Sequence, residues 1–449
     1  MRVLILAAGL GKRMKSKYPK VMHKIMGKEL INWVIDTAKK LNPSKIGVVL
    51  GHKSEMVKEI LPSDVEIFYQ NKQLGTGHAV MSAKEFITDE DVLILYGDTP
   101  LITENTLKKL IDKHKNTNAD ATILTAILDN PTGYGRIIKN EKGEFINIVE
   151  EADTTDDQKK IKEVNSGFVV FKGSKLLEGL LKIKPNNNQG EYYLTDVPKY
   201  LDNVETYILE DFSESLGINN RIQLAEAEKI MKEKTLKNLM LNGVTIIDPD
   251  TTYISPEVKI GQDTIIHPMT FIFGKTEIGE DCEIGPMTRV INCKIGDNVK
   301  ILRSECEEAT IENNVSVGPY SRLRTGTVLK NNVKIGNFVE TKKTIINKNT
   351  KAQHLTYLGD AEIGEDTNIG AGTITCNYDG KNKHKTYIGN RVFVGSNSAL
   401  VAPLKIDDDS LIGAGSTITQ NIPKGALALG RAKQITKEEW VFKKREKGE

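Results

Sequence analysis

The sequence predicts a Rossmann-like α/β domain followed by an all-β parallel β-helix, with a long helix joining them. Three observations carry this: an aliphatic residue recurring every sixth position beyond residue 250, alternating apolar strands and helices before residue 220, and a helical run between the two.

The six-residue period is the clearest signal. Ile254, Ile260, Ile266, Ile272, Ile278, Ile284 and Val290 keep it without a gap. The phase returns in Ile311, Val317, Leu323, Leu329 and Ile335, in Ile363 and Ile369, and in Ile388, Val394, Leu400, Ile406, Ile412 and Ile418. This period matches neither a helix nor a plain alternating strand. It predicts short strands joined by tight corners, with one aliphatic side chain per hexad entering a central stack. Glycines following the aliphatic residue, at 279, 285, 364, 370 and 413, are expected to ease the turns. Hexads of this type resemble the left-handed β-helix. Two interruptions are candidate binding features: residues 340–357, where the phase slips, and the polar residues 376–387, which read as a loop leaving the coil.

Before residue 220, strand-like runs at 3–7, 45–50, 65–69 and 92–96 alternate with helical runs at 30–41, 54–61, 77–86 and 104–115. Continuous apolar strands such as residues 92–95 fit a parallel sheet covered on both faces, whose ligands sit beyond the strands' carboxyl ends. Residues 221–241 contain no Gly or Pro and end at Asn242-Gly243, a helix with a stop signal. The expected organisation is therefore a nucleotide domain at 1–220, a helical linker at 221–243, a β-helix at 244–432 and a tail at 433–449.

Composition narrows the function class. Lys and Arg total 62 against 60 Asp and Glu, a formal charge of +2, so nothing drives the chain globally towards nucleic acid or an anionic membrane. A phosphate ligand must be held locally. The apolar run at residues 3–8 is too short for a signal peptide core or a membrane span. Cys282, Cys293, Cys306 and Cys376 lack a C-x-x-C spacing and read as reduced residues of a cytoplasmic protein.

The first strand opens into Leu6-Ala7-Ala8-Gly9-Leu10-Gly11-Lys12-Arg13, small residues that let backbone N–H groups approach a triphosphate, with a cation alongside. The turn is neither a P-loop nor a dinucleotide fingerprint, because no G-K-S/T ends it and Met14 replaces the last glycine. Pro19-Lys20, residues 73–77 (QLGTG) and Tyr96-Gly97-Asp98 follow; a carboxylate ending a buried strand opposite a phosphate loop suits Mg²⁺. Taken with residues 131–136 (PTGYGR), 148–150 (IVE), 165–167 (NSG), 190–196 (GEYYLTD) and 217–221 (GINNR), these segments resemble the sugar-nucleotidyltransferase family. The likeness is closest to bifunctional N-acetylglucosamine-1-phosphate uridyltransferase/glucosamine-1-phosphate acetyltransferases, over essentially the whole chain.

That resemblance implies uridine and triphosphate contacts at Leu6, Ala7, Ala8, Gly9, Gln70, Gly75 and Thr76, with Tyr96 and Gly97 beside them. It implies phosphate screening by Lys20 and Arg13, Mg²⁺ at Asp98 and Asn219, and sugar contacts from Gly135, Glu150, Asn165 and Tyr193. The chemistry agrees with it. A sugar phosphate attacks the α-phosphorus of UTP and expels pyrophosphate, so two anions must approach, and screening is the main demand. The nucleophile is already ionised and needs no base.

In the second half, His354 lies in AQHLTYLGD within the first interruption, among the polar segments Arg322-Leu323-Arg324, residues 340–343 and Asn377-Tyr378. Acetyl transfer from a thioester to an amine needs a base for the amine proton, and an imidazole suits that role. HLTYLGDAEIG and GAGTITCNYDG resemble the acetyltransferase half of the same family. The resemblance makes His354 the base, places Arg324, Lys342, Tyr357 and Asn368 on the acceptor, and Ala371, Asn377, Tyr378, Ser396, Ala414 and Arg431 on acetyl-CoA. Where relatives carry RLR-Pro, this chain has Arg324-Thr325. The resemblance further implies a homotrimer with acetyltransferase sites between subunits; the tail either covers a neighbouring site or is solvated.

The expected function is bifunctional: glucosamine 1-phosphate is acetylated from acetyl-CoA, then uridylylated from UTP to UDP-N-acetylglucosamine for cell-envelope polysaccharide. The competing readings are a hexose-1-phosphate nucleotidyltransferase with a regulatory β-helix, and a non-catalytic assembly subunit.

Overall fold

The computed structural model describes residues 1–448. The chain divides into two compact units, Met1–Met231 and Lys232–Glu449. Among the described residues no helix is long and apolar enough to cross a membrane.

The first unit is built on a nine-stranded sheet. Its main path runs Val204–Ile208, Ala121–Ile127, Glu163–Phe171, Val92–Tyr96, Arg2–Ala7, Lys45–Leu50, Glu66–Tyr69. The four predicted strands lie parallel and adjacent. The sheet as a whole is mixed, since Glu163–Phe171 runs antiparallel to both its neighbours. That reversal is invisible in composition, because a strand buried on both faces is apolar whichever way it runs. Helices Leu30–Lys40 and Glu104–Thr117 cover the sheet; the first buries Leu30, Ile31, Trp33, Val34, Ile35 and Ala38. The chain passes from Arg2–Ala7 to one side through Lys45–Leu50 and Glu66–Tyr69, then returns to the other side as Val92–Tyr96. The switch point thus falls between the two strands whose ends carry Leu6–Gly9 and Asp98, where ligands of such sheets bind.

A helix spans Arg221–Leu241, and the boundary between the two units falls within it. Its second half belongs to the second unit, where Leu236 packs with Val244 and Ile246 against the first coil. There the helix ends the hydrophobic stack rather than merely spacing two domains.

The second unit is a parallel β-helix, consistent with the left-handed form. A 19-stranded sheet and a separate nine-stranded sheet stack residue pairs of successive coils. The predicted aliphatic residues all enter one core, Ile260 partly buried at its edge. Each fully buried Ile, Leu or Val contributes ~1.5–3 kcal/mol. Cys306 takes the aliphatic position of its coil, in register with Val290 and Leu323, while Cys282 and Cys293 are buried in the same stack two residues before Ile284 and Ile295. All four cysteines are free, and burial pushes the Cys293 thiol up to about 11, so it behaves as a small apolar side chain.

The glycine expectation needs correction. Of the five glycines singled out, only Gly285 has a positive φ. Corners are turned instead by left-handed residues, up to three per coil: Asp263, Asp281, Asn298, Asn314, Asn332, Asn349 and Asp366 climb one corner, and Met269, Met287, Arg303, Tyr320, Phe338 and Leu355 another. Asn and Asp tolerate that conformation by bonding locally. The glycines answer close approach between coils: a Cβ on Gly261 would lie 2.7 Å from the Gly279 backbone, and one on Gly279 2.8 Å from that of Gly296.

Both interruptions have a physical cause. Residues 340–357 never leave the coil: Lys334–Lys342 and Lys351–Gly359 are nine-residue strands that bend round a corner. Here Lys334 pairs with Lys351 and Lys351 with Asn368, 17 residues per coil, whereas Ser316 pairs with Lys334 at 18. One residue fewer shifts the phase. Residues 376–387 do leave it, since Ile363 pairs with Ile388 across 25 positions.

Candidate active sites

In the first unit one cleft, with a volume of about 330 Å³, is lined by Leu6, Ala7, Ala8, Gly9, Lys20, Gln70, Gly75, Thr76, Tyr96 and Asp98, as expected. Leu10, Gln73 and Glu191 also line it. Gln73 and Glu191 stand inside motifs already noted, but only folding shows that they share a wall with Gly9. Gly97 lies just behind, its N–H donating to Leu6 O at 2.9 Å and so clamping the two strand ends together. Gly75 has φ +103°, and a Cβ there would lie 2.5 Å from Tyr192 O. Only glycine lets this turn pass so close, and Gln70 Nε2 fixes it by donating to Gly75 O at 3.0 Å.

The Asp98 carboxylate points into the cleft and pairs with the Lys20 ammonium, which also donates to Asn219 Oδ1 at 3.0 Å. A cation therefore already sits between Asp98 and Asn219. The helix Glu104–Thr117 is capped by Thr103, leaving Asp98 free of that structural duty. Among the described residues no group of three or more His, Cys, Asp or Glu could hold a metal. One carboxylate with one amide oxygen instead suits a hard ion such as Mg²⁺, which completes its shell with phosphate and water. Arg13 is exposed on the turn after Gly11 and does not line the cleft.

The predicted sugar residues lie on the same side of the sheet, across Tyr96. A Cβ on Gly135 would lie 3.3 Å from Glu150 Oε2, so the two residues face each other. Asn165 N–H donates to Gly135 O at 2.8 Å, and Thr195 Oγ1 donates to Glu150 Oε1 at 2.8 Å. Tyr193 stands near Glu150 and Asp153; burial, then these carboxylates, push its phenol up to about 12. Burial likewise raises the Glu150 carboxyl, with Asp153 and Asp196 adding to it and the Thr195 bond opposing it.

That shift predicts a pH dependence. A carboxyl whose folded pKa exceeds its unfolded one stabilises the fold below the ordinary carboxylate range, and that contribution is lost as pH rises through the raised value. Glu150→Gln cannot ionise and still accepts from Thr195. It is expected to raise the melting temperature at pH 7 by about 1–3 °C and to leave it unchanged near about pH 3. Calorimetry at the two pH values checks this, and an equal shift at both would contradict it.

In the second unit His354 is exposed at a corner, not sealed in the aliphatic stack. Its Cα partner one coil back is Asn337. Onward, Gly372 N–H donates to His354 O at 3.4 Å, Asn397 N–H to Ala371 O at 2.7 Å and Gly415 N–H to Ser396 O at 2.8 Å. His354, Ala371, Ser396 and Ala414 thus climb one corner, and the small residues beyond the imidazole leave a shallow track. On the adjoining face Arg322, Glu340, Tyr357 and Ile374 pair in register, with Lys342 opposite Gly359. Arg324 Nη1 donates to Glu340 Oε1 at 2.7 Å. At the corner, Lys343 N–H donates to Thr325 O at 3.1 Å.

The excursion 376–387 returns Lys383 to this face. Its ammonium beside Lys342, with Arg324 behind, holds Lys342 below the usual lysine range. Three cations, with Glu340 on Arg324 and Asp360 near Lys342, leave a net positive patch that can take an anion. Lys383 escaped the sequence reading, although the polar insertion carrying it was noticed. Asn377 is buried and donates to Asp360, while Tyr378 is exposed and donates to Gly380 O at 2.6 Å. Asn368 pairs with Lys351 and Phe393, one strand round the corner from Tyr357. Arg431 is exposed just after Gly430, whose N–H donates to Ser416 Oγ at 3.2 Å, two residues past Ala414.

A Cβ on Gly359 would overlap the Tyr357 hydroxyl, which lies folded over it. Gly359→Ala is therefore expected to swing Tyr357 aside and lower kcat/KM for the amine acceptor roughly 10–100-fold. An acetyl-transfer assay checks this, and wild-type kinetics would show that Tyr357 does not touch the acceptor.

An anion-screening cleft at the switch point of a Rossmann-like sheet and an imidazole on a β-helix define a chain with two transferase sites, one per unit. The MobA-like NTP transferase domain model matches residues 3–138. Full-length relatives carry the name Bifunctional protein GlmU. That of Thermosipho melanesiensis is 60% identical over 445 residues, 99% of this chain and 98% of its own. That of Fervidobacterium nodosum is 59% identical over 447 residues, with the same coverage, and that of Thermotoga maritima 54% over 446, 99% of each. The chain belongs to the bifunctional GlmU family.

Proposed function

We infer that the chain makes UDP-N-acetylglucosamine in two steps, acetyl transfer from acetyl-CoA to glucosamine 1-phosphate followed by uridylyl transfer from UTP. The observation that carries this reading is the coexistence of the Lys20–Asp98–Asn219 cluster in a nucleotide-sized cleft with an exposed His354 beside a cationic patch. In the first site the Leu6–Gly9 backbone and Gly75 receive the nucleotide, and Lys20 offsets phosphate charge. Asp98 and Asn219 would hold Mg²⁺, which when bound screens the phosphates. Gly135, Glu150, Asn165 and Tyr193 orient the acetylated sugar so that its phosphate faces the α-phosphorus. Arg13, exposed on its turn, would close on the expelled pyrophosphate.

In the second site Arg324, Lys342 and Lys383 take the sugar phosphate. Tyr357 orients the ring, and His354 accepts the amine proton as nitrogen attacks the thioester. The track formed by Ala371, Ser396 and Ala414 receives acetyl-CoA, with Asn377, Tyr378 and Arg431 at its margins.

A homotrimer through the β-helix is part of this proposal. Met269 and Met287 on one side of Arg303, and Tyr320, Phe338 and Leu355 on the other, expose apolar side chains along the His354 corner, with Tyr320 and Phe338 stacked at 5.5 Å. Such a stripe favours burial against a second copy, and Asn368, round the corner from Tyr357, then serves a site between copies. The tail helix Trp440–Glu446 exposes Trp440 and Phe442 and is proposed to cover a neighbour's site. Free cysteines suit a cytoplasmic protein.

The test is a product assay with UTP, acetyl-CoA and glucosamine 1-phosphate. The expected products are CoA, pyrophosphate and UDP-N-acetylglucosamine. Pyrophosphate release without CoA release would favour a hexose-1-phosphate nucleotidyltransferase, and neither product would favour a non-catalytic subunit.

A further inference from the structure

Arg136 is the largest fully buried side chain of the first unit, 1% exposed, and no step above uses it. Its guanidinium donates to Tyr134 O and pairs through Nη2 with Glu151 Oε2 at 2.7 Å, while its Nε has no partner. The same Glu151 oxygen accepts from Gly133 N–H at 3.0 Å. That amide first, then Arg136, holds the Glu151 carboxyl below its usual range. A buried ion pair with an unsatisfied N–H is weak evidence for stability, because an apolar side chain of similar volume would serve the core as well or better. Its placement supplies another reason. Arg136 follows Gly135 in the chain and Glu151 follows Glu150, and Gly135 and Glu150 are the residues that face each other across the sugar pocket. The strands carrying them pair Arg136 with Val149 on one side and with Val164, next to Asn165, on the other.

We propose that the Arg136–Glu151 pair is a latch that sets the separation of Gly135 and Glu150, making Arg136 and Glu151 positioning residues for the acetylated sugar phosphate. The proposal rests on the reading of Gly135, Glu150 and Asn165 as the sugar pocket. A forked guanidinium spans Tyr134 O and Glu151 together, tying the residues 131–136 turn to the start of the 151–153 turn. Without the latch the pocket widens while the nucleotide cleft, built from other segments, keeps its shape.

The experiment measures uridylyl-transfer kinetics of the full chain for Glu151→Ala, Glu151→Gln, Arg136→Lys and Glu150→Ala, with KM for UTP as the control for a folded first unit. Glu151→Ala is expected to raise KM for N-acetylglucosamine 1-phosphate about tenfold, with KM for UTP moving less than about twofold. Glu151→Gln, which keeps both hydrogen bonds, should recover most of the loss; Arg136→Lys, which cannot fork, should not. A purely structural pair would lower active enzyme without splitting the two KM values, and that outcome overturns the proposal. So does an unchanged sugar KM in Glu151→Ala when Glu150→Ala raises it. If Glu150→Ala also leaves it unchanged, the sugar pocket is misassigned and the latch falls with it. Glu151 is a third exposed, and Glu151→Gln keeps the buried guanidinium hydrogen-bonded, so its two KM values remain readable should Arg136→Lys or Glu151→Ala fold poorly.

Discussion

Asp98→Ala is expected to reduce uridylyl transfer at least ~10³-fold, about 4 kcal/mol of transition-state stabilisation, while leaving acetyl transfer at wild-type rate. The Asp98 carboxylate has two duties in the structure. It holds the Lys20 ammonium at the mouth of the phosphate loop, and with Asn219 it offers oxygens to a cation. When it is removed, Lys20 keeps only the amide of Asn219, and the charge meant for the triphosphate is no longer placed. Attack of one phosphate on another depends on such placed positive charge more than on any proton transfer. The loss should therefore fall on kcat as well as on KM. Asp98→Asn keeps the shape without the charge and should recover little. Pyrophosphate release against CoA release in one preparation measures both halves. A loss confined to UTP affinity would show that Asp98 binds substrate without acting in the transition state.

The second large effect is expected at His354, where alanine should lower acetyl transfer ~10²–10⁴-fold and leave uridylyl transfer unchanged. The imidazole is exposed at its corner, and the small side chains of Ala371, Ser396 and Ala414 follow it on successive coils. A base there reaches an amine held by the neighbouring cationic face and a thioester lying along the corner. Because the amine must lose its proton to a base, His354→Ala should change the pH dependence of CoA release as well as its rate. The pH profile of CoA release checks both statements. A variant losing rate with the wild-type pH profile intact would assign His354 to binding rather than to proton transfer. Equal loss of both activities in either variant would contradict two independent sites.

How far the sequence could be read differs between the two halves. In the β-helix each aliphatic residue of a hexad points inward because the coil repeats, so a linear period maps directly onto a core. Ile254 to Ile284 and Ile388 to Ile418 needed no tertiary information. The glycines were misjudged because spacing reports that a small residue is needed, not whether a positive φ or a neighbouring backbone demands it; at Gly261 and Gly279 it is the neighbouring backbone. In the α/β half the parallel strands were legible from their unbroken apolar runs, but the antiparallel Glu163–Phe171 was not, since strand direction leaves no mark on composition.

The chain's order of residues alone determined its architecture, the phosphate turn, Asp98 at a strand end and the polar setting of His354, because local period and local chemistry suffice for those. Tertiary structure alone decided which distant residues share a wall. It set Lys20 between Asp98 and Asn219 across some two hundred positions of chain, brought Lys383 back beside Lys342, and sealed Arg136 against Glu151. Such pairings depend on how strands register and coils stack, and those are properties of the folded backbone that no single segment carries.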